Sequence, residues 1–160
     1  MTETSIAVIL LLLLCGVLLL VAWIDLQRQI IPDALNAAIG ALGALRVAIS
    51  GGVQLVVEAA LQAIVVAAAV WLLRKLYVLL RKQQGLGLGD VKLLAASTLW
   101  IGIAGIPAQL LTASLTALAA AAVLHVTGNR MTGKSALPFG PFLALGLLAT
   151  IGLQESGWLA

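Results

Sequence analysis

Long apolar stretches without charge alternate with short charged stretches along the chain. Residues 4–24 form an uncharged run of 21 residues, residues 93–129 one of 37, and residues 135–154 one of 20. About 20 apolar residues cross the hydrocarbon of a bilayer as an α-helix. An acid, Glu3, precedes the first run where a signal peptide needs positive charge, and no small-residue cleavage pattern follows its leucines. The run therefore predicts a transmembrane helix and not a signal peptide.

Glycine and proline divide the remaining sequence. A second helix can begin after Asp33 and end at the turn Ser50-Gly51-Gly52, and a third covers residues 53–73. The run of 37 residues exceeds one crossing, and Pro107, which follows two glycines, predicts a break into two helices. The pattern predicts an all-α integral membrane protein of about six transmembrane helices, with residues 1–160 as a single membrane-embedded domain.

Few polar residues interrupt these predicted helices. Arg46 is expected to extend to the far surface of the membrane. Glu58 and Gln62 lie one turn apart in the third helix and are expected near the outer interface. His125 is expected at the inner interface, where no cluster of possible metal ligands surrounds it.

Composition supports the membrane assignment and excludes several other classes of protein. Hydrophobic residues make up 62% of the 160 residues and charged residues 9%, against roughly 25% charged in soluble domains. The single cysteine, Cys15, excludes a disulfide framework and a thiolate metal cluster. The net charge of +3 forms no basic stripe, so no nucleic-acid partner is expected.

The positions of the basic residues predict the orientation. With six crossings, three loops on one side hold eight of the nine basic residues: Arg28, Arg74, Lys75, Arg81, Lys82, Lys92, Arg130 and Lys134. Cytoplasmic loops carry an excess of Lys and Arg. These loops are therefore expected in the cytoplasm, and both termini outside.

Two aspartates are expected at the same depth on this basic side. Asp25 ends the first helix and Asp90 begins the fourth. Two close carboxylates in a low-dielectric setting do not both ionise easily, so one can activate water while the other holds a proton. Alternatively, each acid caps a helix or pairs with a nearby base, Asp25 with Arg28 or Asp90 with Lys92. The residues alone leave the two readings about equal.

Alternating glycines precede Asp90 in the sequence Gly85-Leu86-Gly87-Leu88-Gly89-Asp90. The run does not fit a Walker phosphate-binding loop, because no Ser or Thr follows Lys92. Glycine leaves space for another backbone to approach, such as an extended peptide beside the acid. A flexible loop without function is the alternative.

Three blocks in order resemble the signature of type IV prepilin leader peptidases, which are intramembrane aspartic proteases of the GxGD type. They are Asp25 with Ile31-Pro32-Asp33, then Gly87-Leu88-Gly89-Asp90-Val91-Lys92, then Pro138-Phe139-Gly140-Pro141. The resemblance implies a bacterial inner-membrane enzyme that cleaves the short basic leader of prepilins or pseudopilins after a glycine, at the cytoplasmic face. It implies that Asp25 and Asp90 are the catalytic pair.

The remaining residues of the three blocks are expected to shape the site. Gly87 and Gly89 would leave room for substrate, Lys92 would balance charge near Asp90, and Pro138 and Gly140 would set the start of the last helix. Asp33 follows a proline and precedes a helical pattern, so it is expected to cap the second helix.

Bifunctional members of the family carry paired CxxC motifs linked to N-methylation. The sole cysteine here cannot form such a site, so the chain resembles the peptidase core, and neither a metal nor S-adenosylmethionine is expected as a cofactor. Prepilins or pseudopilins and membrane lipids are the expected partners. The rival interpretation is a small membrane transport or assembly subunit with non-catalytic aspartates, although transport sites usually lie near the bilayer midplane.

Overall fold

The protein folds entirely as α-helices in the part that the structure describes. The structure is a computed structural model, and it describes residues 3–82, 86–126 and 138–158. Its four helices are α1 (Glu3–Arg28), α2 (Asp33–Arg81), α3 (Leu88–Val126) and α4 (Gly140–Glu155). The all-α prediction is confirmed.

Two of these helices contain a residue with non-helical backbone. Gly52 in α2 has φ 73° and ψ −172°, and Gly102 in α3 has φ 67° and ψ 173°. Only glycine adopts this region readily. Each glycine therefore divides its helix into two segments, which we call α2a (residues 33–51), α2b (53–81), α3a (88–101) and α3b (103–126).

The predicted division of the chain at residues 50–52 is observed as a kink at Gly52 and not as a turn, and the predicted break at Pro107 is wrong. Pro107 lies inside the helix, and the non-helical residue is Gly102. Glycine reaches a positive φ without steric cost. Proline removes a single backbone donor, and Pro107 is accommodated near the start of α3b. The break therefore falls at the glycine.

Three of the helices, α1, α2 and α3, are long and apolar enough to cross a membrane. α4 is apolar but has only 16 residues. Many large apolar side chains point outward, including Leu12, Leu19, Leu72 and Leu118. Such a surface is typical of helices that face lipid. Six crossings and the orientation of the termini stay predictions.

Helix α3 lies between its neighbours, packing against α2 on one side and α4 on the other, while α1 packs against α4 and α2. The core includes fully buried leucines from α1, α3 and α4, among them Leu14, Leu93, Leu94, Leu143 and Leu147. This packing brings the end of α1 and the starts of α2, α3 and α4 together at one end of the molecule, which we call the acid end.

At the other end, side chains from three helix segments bond the backbone around Gly102. Gln62 of α2b accepts a hydrogen bond from the Ile103 amide at 3.0 Å, and Gln154 of α4 donates to the Ile101 carbonyl at 2.9 Å. Arg46 of α2a donates to the Trp100 carbonyl at 3.0 Å, and its guanidinium carbon lies 5.6 Å from the Trp100 ring centroid. Arg46 therefore makes an interhelical contact that the sequence did not predict.

Candidate active site

Asp25 lies in the last turn of α1 and is only 5% exposed. Its Oδ2 accepts a hydrogen bond of 2.8 Å from the backbone amide of Gly140, the first residue of α4. Amides in the first turn of a helix have no partner within that helix, and the helix dipole there favours negative charge. The start of α4 therefore holds the Asp25 carboxylate.

Gly140 permits this bond because it has no side chain. A Cβ atom at this position would lie 2.7 Å from Asp25 Oδ2 and 3.0 Å from its Cγ. The contact with Gly140 agrees with a site-shaping role. Pro138, also predicted to shape the site, precedes α4 and is half-buried.

Asp90 lies in the first turn of α3 and is 9% exposed. Its Oδ2 accepts a hydrogen bond of 3.1 Å from the Gly87 amide, just before the helix begins. An acid that reaches back to the amide before the helix satisfies a donor that the helix leaves free. Asp90 therefore does cap its own helix, as one of the two readings of the sequence held.

The fold places the two carboxylates near enough for their charges to interact, although 65 positions separate Asp25 and Asp90. Among the described residues of α1 and α3, no two Cα atoms lie within 8 Å, so the two acids come from helices that are not packed directly against each other. With the described residues, neither acid forms a salt bridge. The alternative pairings with Arg28 and Lys92 are therefore not observed.

The glycines before Asp90 are tightly placed. A Cβ atom on Gly89 would lie 3.0 Å from the Ile31 Cβ, and one on Gly87 would lie 3.1 Å from Asp90 Oδ2. At these two positions glycine allows close packing within the protein itself. Space for a substrate beside them stays a prediction.

The prediction that Asp33 caps α2 is wrong. Pro32 occupies the N-cap position and no side chain makes a capping hydrogen bond, while Asp33 is the first residue of the helix. Its carboxylate instead accepts a bond of 2.6 Å from Lys92 Nζ, between two exposed side chains. Lys92 is thereby paired with Asp33, and no salt bridge joins it to Asp90.

Two further residues hold the segment before Asp90, and the sequence analysis gave neither a role there. Asn36 Nδ2 donates to the Gly89 carbonyl at 3.4 Å, and Arg74 Nε donates to the Leu86 carbonyl at 2.8 Å. The signal for Asn36 was an amide in an otherwise apolar helix, one turn after Asp33. Arg74 gave no such signal, because it lies in a cluster of basic residues.

An open groove of about 420 Å³ runs between α2b and α3a. Its lining is largely apolar: Ile64, Ala67, Ala68, Trp71, Leu88, Val91 and Lys92. Leu88 and Val91, which lie before and after Asp90 in the first turn of α3, line the groove, but Asp90 itself does not. The groove is therefore close to Asp90 along α3, but neither acid lines it.

Other predicted features do not contribute to the site that the structure describes. Within residues 3–82, 86–126 and 138–158, no three His, Cys, Asp or Glu side chains are placed to hold a metal ion. The predicted basic residues Arg130 and Lys134, and the glycine at position 85, lie outside the described residues.

Comparison with known proteins identifies the family. The type IV leader peptidase family matches residues 12–122. A protein named prepilin leader peptidase/N-methyltransferase from Burkholderia pseudomallei is 38% identical over 138 residues, which cover 86% of this chain and 44% of the relative. Proteins with the same name from Neisseria gonorrhoeae and Legionella pneumophila are 33% and 34% identical, covering 93% and 86% of this chain and 50% and 48% of those relatives.

The chain belongs to the type IV leader peptidase family. It spans about half the length of the curated relatives it matches. No solved structure gives a significant match.

Proposed function

We propose that this chain is a membrane aspartic endopeptidase in which Asp25 and Asp90 form the catalytic pair. The observation that carries the proposal is the meeting of two buried carboxylates from α1 and α3, each held by a backbone amide and without a salt bridge to a described residue. Burying a carboxylate without a counterion is costly. Such groups cluster at functional sites, where the cost is part of the chemistry.

The proposed chemistry divides one proton between the two acids. The ionised aspartate removes a proton from water, whose oxygen attacks the scissile carbonyl, while the protonated aspartate donates its proton to the carbonyl oxygen. The tetrahedral intermediate then collapses and the C–N bond breaks. The aspartate that took a proton from water gives it to the leaving amine, and the other aspartate recovers a proton from a hydroxyl group of the intermediate as the new carboxyl group forms. The two acids titrate as a unit, so base and acid are not assigned to individual residues.

The way in which the two carboxylates are held supports this chemistry. They come from two helices whose described backbones are not packed directly against each other. Each carboxylate is held through Oδ2 by an amide of known position, which restricts its orientation before substrate binds.

Prepilins or pseudopilins are the proposed substrates, cut after a glycine at the end of a short leader. The names of the relatives support this assignment. The proposed location is the bacterial inner membrane, crossed about six times, with the acid end in the cytoplasm. Basic residues near that end, among them Arg28, Arg74, Arg81 and Lys92, support this orientation.

Co-expression with a candidate prepilin tests the proposed activity. We expect the wild-type chain to convert the prepilin to a shorter product, seen as a mobility shift, whose N-terminus mass spectrometry places directly after a glycine. The chain with both Asp25→Asn and Asp90→Asn is the control. A prepilin that stays full-length with a well-expressed wild-type chain contradicts the proposal.

Reporter fusions test the proposed orientation separately. Fusions at Gln84 and Gly133 should report the cytoplasm, and fusions at Gly51 and the C-terminus should report the outside. A cytoplasmic C-terminus would contradict the proposed six crossings while leaving the chemistry of the acid pair unaffected.

A further inference from the structure

Three contacts on either side of Asp90 join the beginning of α3 to the beginning of α2 and the residues just before it. Ile31 packs against Gly89, where an added Cβ would lie 3.0 Å from the Ile31 Cβ. Asn36 Nδ2 donates to the Gly89 carbonyl, and Lys92 pairs with Asp33. Gly89 thus contacts both the α1–α2 connection, through Ile31, and the first turns of α2, through Asn36.

These contacts differ in how firmly they hold Asp90. The Asp33–Lys92 pair has side chains that are 74% and 51% exposed, and exposed ion pairs contribute only about 0–1 kcal/mol. Asn36, by contrast, is 6% exposed, and it bonds the carbonyl of the peptide group that joins Gly89 to Asp90. Among the described residues, it is the buried polar link from α2 to this peptide.

The Asn36 amide is poorly suited to stabilising the fold. Its Oδ1 is buried and has no hydrogen-bond partner among the described residues. A buried acceptor without a partner costs about 1–3 kcal/mol, which offsets the roughly 0.5–1.5 kcal/mol that one hydrogen bond contributes, so this amide adds little net stability. Its main contribution is to geometry.

We propose that Asn36 is a positioning residue that sets the Asp90 carboxylate through the Gly89 carbonyl. Without the bond, the peptide before Asp90 loses its link to α2, and the first turn of α3 can rotate or fray. The distance between the two carboxylates then varies. The proposal rests on the peptidase activity proposed above, because it assigns Asn36 a role in that reaction.

The chain offers a matched control in Gln109. Gln109 is also a fully buried amide with an unpartnered oxygen, and its Nε2 donates to Ser97 Oγ at 3.0 Å and to the Leu143 carbonyl at 3.2 Å. It joins α3b to α3a and α4 and makes no contact with the segment 87–90. Removing either amide changes buried polarity similarly, but only Asn36 contacts the acid segment.

The test measures kcat, KM and thermal stability of Asn36→Leu and Gln109→Leu, purified in detergent, with a synthetic prepilin peptide that spans the cleavage site. We expect Asn36→Leu to lower kcat by about 10- to 100-fold, since misplacing a reacting group by about 1 Å costs on that order. Its KM should stay within about twofold and its melting temperature should not fall. Gln109→Leu should keep the wild-type kcat whatever its stability.

Three outcomes overturn the proposal: a wild-type kcat in Asn36→Leu, a rise in KM alone, or a loss of kcat that tracks lost stability. If Asn36→Leu fails to accumulate, the kcat values of Asn36→Gln and Asn36→Met are compared instead. These two side chains have the same length, and only glutamine keeps a hydrogen-bond donor. Asn36→Gln must then exceed Asn36→Met in kcat. A wild-type chain that cleaves nothing would contradict the proposed function, whereas active wild type with equally active Asn36 variants contradicts only this inference.

Discussion

The two ends of the helix bundle pair side chains with backbone groups in opposite ways. At the acid end, backbone amides of Gly140 and Gly87 bond the carboxylates of Asp25 and Asp90. At the Gly102 break, the roles are reversed, because side chains of Arg46, Gln62 and Gln154 bond free backbone groups. The Asp25–Gly140 bond and the bonds around Gly102 join helices that are distant in sequence, whereas the Gly87–Asp90 bond is local.

The difference separates function from stability. At the break, the side chains supply hydrogen bonds that the helix has lost, and within a membrane such groups must be satisfied by neighbouring protein. At the acid end, each carboxylate bonds one backbone amide, so replacing a carboxylate with a neutral group would leave at most one amide without its partner. We therefore expect changes at the acid end to lower activity and changes at the break to lower stability.

Gly140→Ala should have a large effect on activity. The added Cβ would lie 2.7 Å from Asp25 Oδ2, so the carboxylate or the start of α4 must move, and a displacement of about 1 Å costs about 100-fold in rate. Gly152→Ala in the same helix is the control, because nothing lies within 4 Å of its Cβ. Cleavage assays with a prepilin compare the two, and equal activities would separate Gly140 from the site.

Gly102→Ala should lower stability without a comparable loss of kcat. Its φ of 67° with ψ of 173° is a region that costs other residues about 1–3 kcal/mol. Gly52→Ala meets the same backbone cost, but nothing lies within 4 Å of that Cβ and its surroundings can relax. Melting temperatures in detergent should therefore fall further for Gly102→Ala. A larger fall for Gly52→Ala would mean that the three side chains do not stabilise the break.

Gln62→Leu should lower stability moderately. It leaves the Ile103 amide without its 3.0 Å partner, and because this bond is exposed the cost is about 0.5–1.5 kcal/mol. Glu58→Leu, one turn earlier on the same helix and exposed, controls for a general effect of added apolar surface. The kcat of folded Gln62→Leu should match wild type, and a selective loss of kcat would place the break in the catalytic machinery.

Asp33→Asn should have the smallest effect. Its ion pair with Lys92 lies between exposed side chains, so removing the charge should change stability by about 0–1 kcal/mol. We expect most of the cleavage activity to remain. An inactive Asp33→Asn chain with normal stability would mean that the catalytic pair includes Asp33 and that the pair Asp25 and Asp90 is wrong.

The sequence alone predicted apolar helices and singled out two acids at helix ends, because both features depend on local patterns. The role of the acids as a catalytic pair, by contrast, came from the family resemblance and stays a proposal. Uncharged runs of about 20 residues specify spanning helices, and carboxylates at the ends of such runs stand out. Asp25 and Asp90 could therefore be named before the fold was known.

Contacts between helices could not be predicted in the same way. Proline and glycine both end helices, and the sequence does not show that the break falls at Gly102 and not at Pro107, nor that Gln62 and Gln154 from other helices bond the backbone beside it. Likewise, Asp33 satisfies the sequence pattern of a cap, but the packing of α3 against α2 brings Lys92 within 2.6 Å of it. Asn36 acquires its partner Gly89 from 53 positions away.

Cleavage by single asparagine variants tests the central claim most directly. Asparagine preserves the shape of aspartate but cannot exchange a proton, so Asp25→Asn and Asp90→Asn should each lower the rate of prepilin cleavage by about 10²-fold or more. Because residues that act as a unit fail together, the double variant should be little worse than either single one. Both should insert and melt like wild type, and Glu58→Gln should cleave normally. Substantial cleavage by either single variant, with the protein folded, would contradict the assignment of Asp25 and Asp90 as a catalytic pair.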